Sequence, residues 1–195
     1  MKWFLPLLAC CSVLGGCIAS HFYSTLNPRY AGMQYQRILV QFVEFQPDLA
    51  RAGEQDVQSQ IETVVGNPVQ CYAYTQIPFP PGCTQQQMKA EIWKYEVENK
   101  IDATLVCFNA RRIQNSEQNK DMYCRLELFD LRTSQSVWYS QSTLDTNNIL
   151  YSFNDMIQRF VQETVQDLNA KGLLGVDNRP TFTPGSPAAP PGTNL

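Results

Sequence analysis

The chain has 195 residues, of which 44% are hydrophobic and 11% are aromatic, a composition that fits one globular domain. Its formal net charge is −3, and its only adjacent pair of basic residues is Arg111 and Arg112. Nucleic acids and anionic surfaces are bound by clustered cations that release counterions. The composition therefore argues against nucleic acid as a partner.

The first 16 residues have the pattern of an export signal. Lys2 supplies a positive charge, residues 3–13 are an apolar run, and Gly15 and Gly16 are the small residues expected before a cleavage site. The apolar run is shorter than the stretch of about 20 residues that a membrane-spanning helix needs. We therefore expect residues 1–16 to be removed as a signal peptide.

The segment Leu14-Gly15-Gly16-Cys17 resembles the lipobox of bacterial lipoproteins. The resemblance implies cleavage before Cys17, diacylglycerol on its thiol and often a further acyl chain such as palmitate on its amine. Two or more acyl chains anchor a protein stably. Ile18 stands where an aspartate would retain a Gram-negative lipoprotein in the inner membrane. This implies the periplasmic face of the outer membrane, or the cell membrane in a Gram-positive organism. The alternative is an ordinary signal peptide in which Cys17 is incidental.

The next residues predict a leader and then the first elements of a globular body. Residues 17–36 are expected to form a polar, lipidated leader. Residues 37–45 are nearly all apolar and predict a buried strand. Apolar residues then recur at helical spacing after Asp48, and Gly66 is expected to end that helix. Residues 69–77 predict a second strand.

A stiff loop follows the second strand. Because rigid, exposed and partly apolar loops lose little conformational entropy on binding, this loop is the candidate partner site. Its defining residues are Pro78, Phe79, Pro80 and Pro81. The alternative is a passive connector.

The second half of the chain predicts two helices and three strands. Thr84 and Gln87 form a capping box that opens a helix. Residues 103–113, 122–131 and 136–143 predict three strands. An amphipathic helix begins near Phe153, and Gly172 is placed to end it in a left-handed conformation.

These elements follow the order β-α-β-α-β-β-β-α. The order predicts a single α/β (α+β) domain over residues 37–176, with three helices on a mixed sheet of about five strands. Residues 177–195 are rich in proline and cannot bury enough apolar surface to offset the entropy of ordering them. We expect them to form a disordered tail.

The cysteines of the predicted domain point to disulfides. These cysteines are Cys71, Cys83, Cys107 and Cys124. An even number in an exported domain favours disulfides, and locality favours Cys71–Cys83 and Cys107–Cys124. The second pair would lie opposite each other if the hairpin turned between Asn115 and Ser116. Zinc is disfavoured by the wide spacing and the remote single histidine, and free buried thiols remain the alternative.

The later strands resemble small envelope lipoproteins that have the fold of the TolB N-terminal domain. The resemblance rests on these residues: Ile101 to Val106, Leu126 to Asp130, Val137-Trp138, and Gly172-Leu173-Leu174. The group includes the curli-secretion pore lipoprotein and the lipoprotein activators of penicillin-binding proteins. Asp130, Thr133 and Trp138 match its strand-turn-strand pattern, but Ser134 replaces the turn glycine. Serine tolerates a positive φ poorly, so a different turn type is expected.

The sequence predicts a non-enzymatic protein with no cofactor and no metal. The one histidine, His21, lies in the predicted leader, so a Ser-His or Cys-His pair is not expected in the domain. The favoured hypothesis is an accessory or regulatory lipoprotein that docks on a protein partner of a transport, secretion or cell-wall machine. The alternative is a subunit of a self-assembling lipoprotein ring or pore. A pore would need additional amphipathic membrane strands, which the sequence does not predict.

Truncation of the tail at about Asn178 should leave the fold intact. We expect the melting temperature to change by less than about 2 °C, which corresponds to under roughly 1 kcal/mol for a domain of this size. Thermal unfolding followed by circular dichroism checks this, and a larger loss would mean that the tail packs on the domain.

Overall fold

The computed structural model of the protein describes residues 20–66, 69–109, 113–114, 120–145 and 153–175. The predicted signal peptide, Cys17 and the proline-rich tail lie outside these residues. No helix within the described ranges is both long and apolar enough to cross a membrane.

The described residues form one mixed sheet with helices on both faces. Its strands are β1 (Ser20–Leu26), β2 (Arg37–Val43), β3 (Gln70–Ala73), β4 (Ala103–Asn109), β5 (Ile113–Gln114), β6 (Lys120–Asp130) and β7 (Gln135–Asp145). Six strands run in the order β1-β7-β6-β4-β2-β3, and the two-residue β5 pairs with β6. The prediction of a mixed α+β sheet is confirmed. The predicted five strands correspond to β2, β3, β4, β6 and β7, so the sheet has one full strand more than expected.

Three helices complete the fold: α1 (Pro47–Val65), α2 (Gln85–Glu98) and α3 (Phe153–Ala170). The capping box at α2 is present, because the Thr84 hydroxyl accepts a hydrogen bond from the Gln87 N–H while Gln87 accepts one from the Thr84 N–H. The predicted end of α3 is also confirmed. Gly172 has φ +68°, and the N–H of Leu173 donates to the carbonyl of Leu168 over 3.0 Å.

The main core lies between one face of the sheet and the pair of helices α1 and α3. Alternate residues of the central strands point into it, including Val40, Leu105 and Leu126, all 1% exposed or less. Trp138 closes the core near the end of α3, where its indole N–H donates to the Asp167 carboxylate over 2.7 Å. Lys171 joins Asp167 to the Ser24 hydroxyl, so β7, β1 and α3 are connected by one polar chain.

The opposite face of the sheet is covered only in part among the described residues. A small second cluster, formed by Leu39, Ile77 and Ile101, packs against α2 through Ile92 and Tyr95. None of the 14 residues of α2, all of which are described, is buried. Since α2 lies on this face through a few side chains, much of the face is left open.

The predicted leader is part of the domain, so the predicted domain start at residue 37 is too late. Residues 20–26 form β1, which pairs with β7 along seven positions from Ser20–Leu144 to Leu26–Trp138. Tyr30 and Tyr35, which lie between β1 and β2, are 7% and 1% exposed. The polar-looking sequence concealed β1 because an edge strand with one open face carries apolar residues at only some positions.

Asp130 fixes the junction between this early segment and the turn from β6 to β7. Its carboxylate is fully buried and accepts hydrogen bonds from the N–H groups of Arg132 and Thr133 over 2.9 and 3.0 Å. The Tyr35 hydroxyl donates to it over 3.0 Å, and the Arg132 guanidinium donates over 2.8 Å. Ser134 has φ +54°. It adopts a left-handed conformation, which serine tolerates less well than glycine, and the expected change of turn type stays a prediction.

Replacing Asp130 with alanine should lower the free energy of unfolding by about 2–4 kcal/mol, because several charge-assisted hydrogen bonds are lost at once. Burial raises the pKa of Asp130, but the hydrogen bonds from Arg132 and Thr133, the Arg132 charge and the Tyr35 hydroxyl outweigh it and hold the pKa below its usual value. A depressed pKa contributes stability that is present above the unfolded value of about 3.9 and is lost as pH falls through the folded value. The difference in the free energy of unfolding between the wild-type protein and Asp130→Ala should therefore become smaller in acid.

Urea unfolding at several pH values measures this difference. Asp48→Ala is the matched control, since Asp48 is exposed in the first turn of α1 and should contribute under about 1 kcal/mol. Equal losses in the two variants would contradict the role given to Asp130.

Candidate interaction surface

The predicted partner loop is partly exposed and partly anchored. Pro78, Pro80 and Pro81 are exposed, whereas Phe79 is half-buried. The Phe79 ring lies 5.4 Å from the Tyr74 ring and packs in the cluster beneath α2. The aromatic side chain that made the loop attractive for binding is thus used to hold the loop on the domain.

A larger exposed surface lies on the open face of the sheet, across β1, β7, β6 and the end of β4. We call it the open sheet face and define it by Tyr23, Phe108, Tyr123, Arg125 and Tyr139. Strand pairing places these residues on one side of the sheet, opposite to the main core. Tyr23 is 57% exposed and Tyr123 is 38% exposed. Within the described ranges, no helix covers this part of the sheet.

Arg125 organises the centre of the open sheet face. Its guanidinium lies 5.9 Å from the centre of the Phe108 ring and 5.8 Å from that of the Tyr139 ring. It also forms an ion pair with Glu127 over 2.6 Å. The Tyr139 ring in turn lies 6.2 Å from the Tyr23 ring. Contacts of this kind hold the long arginine side chain in one position. The side chain would therefore lose less conformational entropy when a partner binds.

Local sequence patterns do not reveal this surface. Tyr23 lies in the predicted leader, and Arg125 and Tyr139 lie in two separate predicted strands. Tyr123 and Arg125 are exposed and alternate with the buried Cys124 and Leu126 along β6. That alternation predicts one solvated face, but which strands lie side by side is decided by the sheet order.

The exposed aromatic residue of α2 forms a separate feature. Trp93 is 57% exposed. Tyr95 is half-buried and its ring meets the Tyr72 ring edge to face at 6.2 Å. Burial raises the pKa of Glu96, on the same helix, to about 7.

A polar groove runs between α1 and α3 on the other side of the molecule. Its lining is dominated by amide and carboxyl side chains, among them Gln60, Gln158, Gln162 and Asp56. Burial raises the pKa of Asp56, and the side chain of Gln158 opposes that change. Such a groove can accept and donate hydrogen bonds, but it offers no aromatic side chain for stacking.

Buried carboxylates elsewhere serve the fold. Glu54 is 2% exposed, and its carboxylate accepts hydrogen bonds from the N–H and the hydroxyl of Thr75. Burial raises the pKa of Glu54, whereas the hydrogen bonds from Thr75 act to lower it and are outweighed. A general acid or base must reach its substrate, and Glu54 and Asp130 lie inside the domain instead. Among the described residues, no group of three or more histidine, cysteine, aspartate or glutamate side chains could hold a metal ion.

The four described cysteines are free thiols, so neither predicted disulfide is present in the structure. Cys107 lies opposite Leu126 and Cys124 lies opposite Asn109. The predicted register was therefore wrong by two residues. The thiols remain on one face but are diagonal neighbours, roughly 7–8 Å apart in a sheet of this kind, whereas a disulfide needs Cβ atoms about 4 Å apart.

Cys71 and Cys83 lie in different surroundings. Cys71 packs against the main core beneath α1 and α3, whereas Cys83 lies close enough to Tyr74 to help raise the pKa of that phenol, after burial as the larger cause. Tyr74 belongs to the cluster on the α2 side of the sheet. The sheet therefore separates two residues that are near each other in sequence.

A comparison with solved structures finds a similar fold, whereas the two sequence comparisons find no match. No protein-family model matches the chain, and no curated protein matches it. A PelC dodecamer from Paraburkholderia phytofirmans has a similar fold. The TM-score is 0.50 at 12% identity, over 76% of this chain and 96% of that chain. A Xanthomonas campestris protein assigned to DUF330 matches over 76% of this chain and 91% of that chain, with 11% identity and a TM-score of 0.43.

The likeness to PelC at this identity shows the fold, not the function. The match covers 96% of the PelC chain. The predicted likeness to the TolB N-terminal domain stays a prediction.

Thiol reactivity should follow burial. Burial raises the pKa of both Cys71 and Cys124 to about 12, with Glu62 adding to the effect at Cys71. Burial, followed by the neighbouring Cys124, raises the pKa of Cys107 well above its usual value. Since the thiolate is the reactive form, alkylation of the native, processed and lipidated protein at pH 8 should modify Cys83 alone, and denaturation should expose Cys71, Cys107 and Cys124.

Peptide mapping after differential alkylation gives the measurement. Cys83→Ser should abolish labelling of the native protein and leave the labelling of the denatured protein reduced by one site. Recovery of a Cys71–Cys83 disulfide-linked peptide would contradict the free thiols of the structure.

Proposed function

We propose that this chain is a lipid-anchored protein of the bacterial envelope that works by binding other proteins rather than by catalysis. Acylation of Cys17 would place it on the periplasmic face of the outer membrane, or on the cell membrane of a Gram-positive organism. The partner loop of the sequence analysis becomes a secondary candidate. The open sheet face is the observation that carries the proposal.

The composition of the open sheet face supports binding to protein. Tyrosine and arginine are enriched in the centres of protein interfaces and among the residues that dominate binding energy. Tyr23, Tyr123 and Arg125 lie together on a rigid sheet, and Arg125 is held between two rings. A rigid aromatic platform with one cation suits a partner segment that carries apolar and acidic side chains.

Self-assembly into a lipoprotein ring is the second candidate. One observation favours it: the structurally similar PelC forms a dodecamer. In a ring, each copy binds the next through two different surfaces. The open sheet face would then be one of these surfaces, and the partner would be a second copy of the chain.

Cys17→Ser should leave the signal peptide uncleaved by the lipoprotein pathway and release the protein from lipid anchoring. We expect the precursor to accumulate and metabolic labelling with an alkyne-modified fatty acid to disappear. Mass spectrometry of the N-terminal peptide from the wild-type protein is the direct check. Normal cleavage with the same membrane retention in the variant would refute the anchor.

Arg125→Ala should weaken the interaction made by the open sheet face, because binding would lose a positioned cation and the packing of two rings. Lys94→Ala is the matched control, since Lys94 is an exposed cation on α2. Crosslinking of the membrane-bound protein in cells, followed by mass spectrometry, reports the partner. Light scattering of the purified protein reports a ring, as a mass many times that of one chain.

The two variants separate the open sheet face from the exposed surface of α2. Loss of the crosslink or of the oligomer in Arg125→Ala but not in Lys94→Ala supports the open sheet face. If both variants keep the crosslink or the oligomer of the wild-type protein, and their melting temperatures are unchanged, the interaction lies elsewhere on the domain.

A further inference from the structure

The lipid anchor and the sheet are separated by almost no chain. β1 begins at Ser20, three residues after Cys17. An extended chain spans at most about 3.6 Å per residue, so Ser20 lies within roughly 11 Å of the acylated cysteine. The leader predicted over residues 17–36 would have been a much longer tether between the lipid and the domain. This step rests on the proposed acylation of Cys17.

Detaching β1 from the sheet, which would lengthen this tether, would break many contacts. The strand pairs with β7 at seven positions. The Phe22 ring packs 6.3 Å from the Phe160 ring of α3, and the Ser24 hydroxyl accepts a hydrogen bond from Lys171 over 2.8 Å. The start of β1 is therefore fixed to the rest of the domain.

The strand pairing defines which part of the domain lies beside Ser20. Ser20 pairs with Leu144, and Leu144 pairs with Met122, next to Tyr123. β2 and β4 end at this same edge, where Phe45 follows β2. We call this the Ser20 end of the sheet. The described chain leaves the domain at the opposite end, where the Gly175 N–H donates to the Tyr35 carbonyl.

We infer that the Ser20 end of the sheet rests on the lipid bilayer, with the strands upright and with Tyr123 at the level of the lipid headgroups. Tyr123 is exposed, and tyrosine side chains favour the membrane–water interface because the ring is apolar and the hydroxyl is polar. The turn after β6, which contains Ser134, then points away from the membrane together with the origin of the proline-rich tail.

Two features disfavour a sheet that lies flat on the bilayer. α2 projects from the open side of the sheet, and a helix is about 10 Å thick. The helix would therefore meet the membrane before the sheet did. The open sheet face also carries the Arg125–Glu127 ion pair, which is costly to bury in an apolar medium. An upright sheet leaves the open sheet face free for protein.

Quenching of tryptophan fluorescence by brominated lipid tests the orientation. Tyr123→Trp and Gln135→Trp are each made in a Trp93→Phe background, so that the buried Trp138 is the same baseline in both. Gln135 is exposed at the far end of β7, roughly 30 Å from Leu144 at about 3.3 Å per residue. The lipidated proteins are reconstituted in phosphatidylethanolamine and phosphatidylglycerol vesicles that carry bromines near the headgroups.

We expect the Tyr123→Trp protein to lose fluorescence in brominated vesicles and the Gln135→Trp protein to keep it. An insertion of about 12 Gly and Ser residues between Ala19 and Ser20, long enough for a mean span of roughly 20 Å, should abolish the loss at position 123 while the protein stays bound. Vesicle flotation confirms binding in each case, and equal melting temperatures confirm that each variant folds.

The outcomes separate the orientation from the anchor. Equal fluorescence loss at both positions, or no loss at either, in protein that floats with the vesicles would overturn the upright orientation and leave the lipid anchor standing. Failure of the wild-type lipidated protein to float would overturn the anchor, and the orientation with it.

Discussion

The buried carboxylate of Asp130 is the constraint on which the rest of the structure depends. A carboxylate with no solvent contact is unfavourable unless hydrogen bonds and charge compensate for its lost hydration. Here the compensation comes from two segments that are far apart in sequence, the turn at Arg132 and Thr133 and the early residue Tyr35. Satisfying one side chain thus joins the N-terminal segment to the β6–β7 turn. That junction ties the segment between β1 and β2 to the turn that leads into β7.

The two faces of the sheet are stabilised very differently. α1 and α3 cover one face with a continuous apolar core, whereas α2 covers part of the other without burying any of its own residues. A strongly packed face makes the sheet rigid, and that rigidity allows the other face to present Tyr23, Tyr123 and Arg125 in fixed positions. The proposed function uses the face that contributes less to stability, which is common because binding residues must stay accessible.

The edge strand β1 connects the stable part of the fold to the proposed lipid attachment and to the open sheet face. It is held by β7, by Phe160 and by Lys171, so it belongs to the stable part of the fold. It also begins three residues after the proposed lipid attachment, and it carries Tyr23 on the open sheet face. An edge strand normally presents unpaired backbone groups to solvent. In this chain its position near a membrane would limit which molecules can approach that edge.

The sequence by itself determined the features that depend on neighbouring residues. The capping box at Thr84, the glycine ending at Gly172, the three helices and five strands follow from local hydrogen bonding and from periodic burial, and the structure confirms them. Register, partnership and the start of the domain were decided by the tertiary structure. Cys107 and Cys124 miss each other because the β4–β6 ladder is set by the whole sheet and not by the turn alone. β1 was missed since its stability comes from Trp138, Tyr139 and α3, residues more than 100 positions away. The open sheet face was missed for the same reason, because Tyr23, Arg125 and Tyr139 become neighbours only when β1, β6 and β7 lie side by side.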